Sequence, residues 1–165
     1  MPGTDTVLEL ADESHLDVLL PLVRAYHRFE NVVMSDVERA VAVAPLLQAK
    51  SPLGRIWLVR QSGEVAGYGA LCFGYSIEFG GRDAFVDELY IAEHARGRGL
   101  GSRVLDLLKS EAARLGIVAL HLEVARNNTG ARQLYEKWGF RTRERYVLMS
   151  CHFSGTGVAA SRPAV

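Results

Sequence analysis

The chain has 165 residues, 48% hydrophobic and 23% charged, which is enough apolar side chain to bury one ordinary core. Its 19 lysines and arginines balance 19 aspartates and glutamates, so no whole-surface attraction to nucleic acid or to an anionic membrane is expected. Cys72 and Cys151 have neither metal-ligand nor redox spacing, and a reduced, cytoplasmic protein is the simpler expectation.

Met1 to Leu10 lacks the basic-then-apolar organisation of a signal peptide. Charged residues interrupt each apolar run before it could span a bilayer. Thr6 to Leu10 reads as a first strand. Asp12 or Ser14 can cap a helix to about Phe29, with Leu16, Leu19, Leu20, Val23 and His27 as its apolar stripe. Ser35 or Asp36 can cap a second helix through Val37, Val41 and Leu46, which Pro45 should bend or interrupt. Strands follow at Arg55 to Gln61, Glu64 to Tyr75 and Ala84 to Ile91, separated by turns at Ser62-Gly63 and at Glu78 to Asp83. Tight turns between adjacent strands predict an antiparallel meander.

A glycine-rich loop, Arg96 to Gly101, then opens a helix reaching Leu115, with Val104, Leu105, Leu108, Ala112 and Leu115 as its core face and Gly116 as its end. Ile117 to Ala125 reads as a strand, Asn128 to Trp138 as a short helix ended by Gly139, and Arg141 to His152 as a last strand. The expected domain is 1–153, followed by a loose tail at 154–165. A strand–loop–helix–strand run predicts a parallel β-α-β unit joined to the meander. The fold class is therefore α/β (α+β): a mixed, mostly antiparallel sheet with helices on both faces.

Between a strand and a helix start, Arg96-Gly97-Arg98-Gly99-Leu100-Gly101-Ser102 lets backbone N–H groups approach an anion closely. Arg96 and Arg98 add positive charge, so a diphosphate is the natural guest. Ser102-Arg103 lacks the Lys-Ser/Thr pair of a Walker loop, and G-x-G-x-G differs from the dinucleotide fingerprint. The loop Arg96 to Gly101 resembles the R-x-x-G-x-G coenzyme A loop of the GCN5-related N-acetyltransferases. Asp87-Glu88-Leu89-Tyr90-Ile91 resembles their fourth strand. Asn128, Ala131, Leu134, Tyr135 and Gly139-Phe140 match their N-x-x-A-x-x-L-Y…G-F pattern. The closest subfamily likeness is to the diamine (spermidine/spermine-type) acetyltransferases, through Gly67-Tyr68, Phe73-Gly74-Tyr75 and the Asp87 to Ile91 run.

The resemblance implies acetyl-CoA as cofactor. Backbone groups of Leu89, Tyr90 and Ile91 would pair with the pantetheine arm. The amides of Arg96, Gly97, Arg98, Gly99, Leu100, Gly101 and Ser102 would hold the diphosphate. Asn128, Ala131 and Tyr135 would line the other side, in a slot between splayed parallel strands bearing Leu89 and His121. It further implies a small-molecule amine substrate, a homodimer, Tyr135 as the acid that protonates the departing thiolate, and Asp87 as a water-linked base. Asp87 replaces the longer glutamate of that subfamily. Only a neutral amine attacks a thioester, and deprotonating one of pKa about 10.4 at neutral pH costs about 4 kcal/mol. Regular pleating turns Asp87 and Glu88 to opposite faces unless a bulge intervenes, so either acid is a candidate base. Phe29-Glu30 resembles a substrate-contacting aromatic–acid pair. Together Glu30, Asp87 and Glu88 would favour a cationic amine, such as a polyamine or a lysine-like amino acid. The alternatives are a protein or peptide N-acetyltransferase and a non-catalytic acyl-CoA-binding module. The five histidines show no metal spacing, and Cys72 and Cys151 read as small core residues.

Overall fold

The computed structural model describes residues 5–153; the tail at 154–165 lies outside the described residues. The first strand, β1, is Thr6–Leu10. Asp12 then caps a single 3-10 turn, Glu13–His15: its carboxylate accepts from the Ser14 amide at 2.9 Å, and His15 Nδ1 accepts the Asp12 amide at 3.2 Å. The turn feeds α1 (Leu16–Phe29), which buries Leu19, Val23 and His27 at four-residue spacing. A reciprocal cap between Ser35 and Glu38 starts α2 (Asp36–Leu47), whose buried residues are Arg39, Val43 and Leu47. Pro45 does not interrupt α2. It sits in the last turn, where its missing N–H removes one hydrogen bond and the helix ends two residues later.

Strands β2 (Gly54–Gln61), β3 (Glu64–Ser76) and β4 (Gly81–Ile91) form the meander. Gly81 to Asp83 belong to β4 rather than to the preceding turn. A crossover helix, α3 (Leu100–Arg114), leads to β5 (Ala119–His121), and α4 (Thr129–Lys137) follows. The sheet order is β1-β2-β3-β4-β5, antiparallel except for the parallel β4–β5 pair. This is the mixed sheet expected from the sequence.

Each face of the sheet carries its own core. On one side α1 and α2 cover Ile56, Leu58, Tyr68, Ala70 and Tyr90; on the other α3 covers Trp57, Leu71, Ala84 and Val86. Leu19, Leu58, Leu71, Leu105 and Leu108 are fully buried, each contributing roughly 1.5–3 kcal/mol.

Two expected strands differ. The Ile117 to Ala125 strand is only three residues long, because its pairing with β4 stops at Phe85–His121. Arg141 to His152 forms no strand. Its residues carry strand propensity, but none pairs with a strand of the sheet, and propensity without a ladder does not hold a strand. Tyr146, Val147, Leu148 and Met149 are exposed there. So is Cys151, and Cys72 is half-buried, so neither is the core residue expected.

Candidate active site

The site is organised by one extra residue in β4. Ala70 faces Glu88 and Leu71 faces Val86, so Asp87 has no opposite number and forms a β-bulge. In a regular strand residues 86, 88 and 90 would share a face. Here Val86 packs in the α3 core while Tyr90 packs in the α1 core, so the bulge exchanges the faces. Glu88 thereby reaches α1, accepting from His27 Nε2 at 2.7 Å and from the Tyr68 hydroxyl at 2.5 Å. Burial, reinforced by the Glu88 carboxylate, pushes the Tyr68 phenol far above its ordinary value. The Asp87 carboxylate accepts from the Cys72 thiol. Burial, with the charges of Asp87 and Glu88, raises that thiol to about 12. Leu71 and Phe73 pack with the α3 core, so Cys72 between them faces the α1 side. Both acids of the Asp87-Glu88 pair therefore act on the α1 side of the sheet.

The bulge also marks the end of the β4–β5 ladder. Pairing runs from Asp83–Ala119 to Phe85–His121 and goes no further. From Asp87 onward, β4 is paired with β3 alone, and the edge bearing Leu89, Tyr90 and Ile91 meets no strand among the described residues. Such an edge accepts an extended, amide-bearing arm as an added strand. His121 closes the narrow end, within reach of Asp83 Oδ2 at 3.2 Å and between the rings of Phe79 and Phe85.

The open edge runs to the glycine loop. Gly97 and Gly99 have φ of +76° and +74°, a left-handed region costly for other residues. Gly99 is the N-cap of α3 and supplies no side-chain cap, and no acid lies in the first turn. Those helix N–H groups and the positive end of the dipole thus suit an anion. Arg96 braces the loop: its Nε donates to the Ile91 carbonyl at 2.8 Å and its guanidinium lies over the Tyr90 ring. Arg98 is exposed and buried Leu100 anchors the helix start. A diphosphate fits this uncapped turn, and a pantetheine arm fits the edge leading from it.

Helix α4 packs against α3. Trp138 Nε1 donates to Ser102 Oγ at 2.7 Å, and Lys109 Nζ donates to the Trp138 carbonyl at 2.7 Å, which ties the end of α4 to α3. A Cβ at Gly101 would touch Leu134 at 3.6 Å, so the two helices meet closely there. Asn128 caps α4, its Oδ1 accepting from the Ala131 amide at 3.2 Å. Tyr135 stacks edge-on to Phe140 with ring centres 5.8 Å apart. Burial, then the nearby Glu30 carboxylate, hold its phenol above the ordinary tyrosine value. Glu30 stands just past the end of α1, and its neighbour Phe29 is exposed.

Sequence reasoning missed the groups that hold Glu88. In the sequence His27 is one more member of the α1 stripe and Arg39 one more charged helix residue. The available signal was Arg39 standing four and eight residues before Val43 and Leu47 on the buried face of α2. Among the described residues no cluster of three or more metal-ligating side chains occurs, and no helix is long and apolar enough to cross a membrane.

An uncapped turn at a crossover helix, reached along an open strand edge, suits a coenzyme that carries a diphosphate and an extended arm. The chain belongs to the acetyltransferase (GNAT) family, whose profile matches residues 21–140. It is 28% identical over 137 residues to the uncharacterised N-acetyltransferase YhfO of Bacillus subtilis, covering 83% of this chain and 91% of that one. It is 33% identical over 75 residues to the thialysine N-epsilon-acetyltransferase of Bos taurus, covering 46% and 44% of the two chains. An integron cassette protein from the mobile metagenome of Cole Harbour salt marsh superposes with a TM-score of 0.75 at 30% identity, covering 87% of this chain and 89% of that one. Solved structures of this fold include complexes with acetyl-CoA and with coenzyme A. The protein is a GNAT N-acetyltransferase, and acetyl-CoA is its acyl donor.

Proposed function

We propose that the acceptor is a primary amine of a small cationic molecule, a polyamine or a lysine-like amino acid. The observation that carries this reading is the bulge at Asp87, which brings Asp87 and Glu88 to the side of the sheet where α1 ends in Glu30. Three carboxylates there favour a cation over a neutral or acidic acceptor. The likeness to a relative named for acetylating the ε-nitrogen of thialysine supports the same class. Homodimeric assembly and residence in the cytoplasm belong to this reading too, on the family resemblance.

Acetyl-CoA supplies an activated thioester. In this reading the amides from Arg96 to Ser102 hold its diphosphate, the edge Leu89 to Ile91 pairs with its pantetheine arm, and Asn128 and Ala131 line the far side. Glu88 is committed through both oxygens to His27 and Tyr68, so it serves as a fixed charge. That leaves the proton of the ammonium group to Asp87, directly or through one water, a role that contributes about 10²–10⁴-fold. Tyr135, whose proton is held firmly by burial and by Glu30, donates to the departing sulfur.

The test is release of coenzyme A from acetyl-CoA across a panel of diamines, lysine-like amino acids, neutral aromatic amines and peptides. The highest kcat/KM is expected with the dicationic amines. Acetylation of peptides without free diamines would move the enzyme to the protein-modifying class, and equal use of neutral amines would remove the acidic-pocket argument.

A further inference from the structure

Glu88 is the inner end of a chain of polar groups that crosses from the sheet to both helices of one layer. Oε1 accepts from His27 Nε2 at 2.7 Å, and Oε2 accepts from Tyr68 at 2.5 Å. On the other side of the imidazole, Arg39 Nε donates to His27 Nδ1 at 3.3 Å. A guanidinium has donors only, so Nδ1 must present its lone pair. The single ring proton then sits on Nε2 and points at Glu88. His27 is a neutral imidazole of one tautomer, set by its two neighbours. Arg39 is itself held by Asp36, Nη1 to Oδ1 at 2.8 Å, and Asp36 is gripped again by Arg24.

Packing alone does not call for these residues. His27 and Arg39 are only 6% and 8% exposed, and apolar side chains of similar volume hold two helices together as well as a buried polar network does. The network makes something an apolar core cannot: a carboxylate pinned by one donor at each oxygen, from α1 and from β3. The bulge at Asp87 aims that carboxylate toward α1, where Cys72, Tyr68 and Asp87 are its neighbours.

We propose that His27 and Arg39 are positioning residues for Glu88, holding its carboxylate in one rotamer so that the acceptor pocket presents a fixed negative charge to a cationic amine. This rests on the acceptor class proposed above. Two measurements separate the inference from that reading. The first needs no variant: ¹⁵N spectra of the histidine rings in the intact protein near neutral pH. His27 should show a protonated Nε2 and a bare Nδ1; a proton on Nδ1, or on both nitrogens, overturns the inference whatever the substrate is. The second compares a diamine with a neutral aromatic amine. His27→Leu is expected to raise the KM for the diamine about tenfold, with the KM for the neutral amine and the Kd for coenzyme A within about twofold. His27→Gln, whose amide N–H donates where Nε2 does, should recover most of the loss. Arg39→Met, which frees the tautomer, should act in the same direction as His27→Leu. Equal losses on both amines, or no rescue by glutamine, would assign the network to folding alone. A wild-type enzyme that does not prefer the diamine removes the acceptor reading, and the ring spectra still judge the clamp.

Discussion

The two halves of β4 are built from similar residues and do different work. Before Asp87 the strand is paired with β3 and, from Asp83 to Phe85, with β5 as well, and it sends Ala84 and Val86 into the α3 core. After Asp87 it keeps only β3, sends Glu88 and Tyr90 toward α1, and leaves one edge to a ligand. Because the side-chain period of a strand is two, one inserted residue exchanges both faces at once. The first half is sheet; the second half carries the proposed site, and the change falls on the residue proposed as the base.

The strongest way to break this contrast is to delete Asp87. Val86 and Glu88 would then be adjacent and alternate regularly opposite Leu71 and Ala70, so Glu88 and Tyr90 keep the α1 side and only the bulged carboxylate is lost. A fall in kcat of about 10²–10⁴-fold is expected, with a cooperative melt by circular dichroism retained; a variant as active as the parent would show that Asp87 is not the base. Next in size is Tyr135→Phe, which removes only the phenolic proton. A fall in kcat of about a hundredfold is expected, with coenzyme A affinity by calorimetry unchanged; parallel loss of both would make Tyr135 a binding residue. Gly99→Val sharpens the description of the open half. A β-branched residue at φ +74° opposes the turn that aims the α3 amides. Coenzyme A binding should weaken about tenfold while the melting temperature drops by only a few degrees.

The smallest effect is on the acid side. Hydrogen bonding from Arg24 holds Asp36 below its ordinary 3.8, and the Ser35 amide holds Glu38 below 4.5. Carboxylates depressed in the folded state stabilise it fully above their ordinary values, and that stability is lost as pH falls through the folded ones. Melting temperature should therefore decline as pH falls below about 4, and Arg24→Met should make that decline shallower. An acid limb unchanged in the variant would show that the Arg24–Asp36 pair contributes nothing there.

Much of this was readable along the chain because it depends on neighbours in sequence. Capping residues at Asp12, Ser35 and Asn128, glycines at positive φ at 97, 99, 116 and 139, and the spacing of apolar residues in α1 and α3 are local facts, and each element they predict is present. The glycine loop was legible for the same reason: the uncapped turn lies in seven consecutive residues. What sequence reasoning could not settle depends on partners far away in the chain. Whether Asp87 and Glu88 share a side depends on their register with Ala70 and Leu71. How far β5 extends depends on where β4 stops offering an edge, and Arg141 to His152 shows that strand-forming residues without a partner remain outside the sheet. That His27 holds Glu88 needs helix and strand to meet across 61 positions. Side-chain type and short spacing are written in the order of residues; pairing and burial arise only when distant segments compete for the same surface.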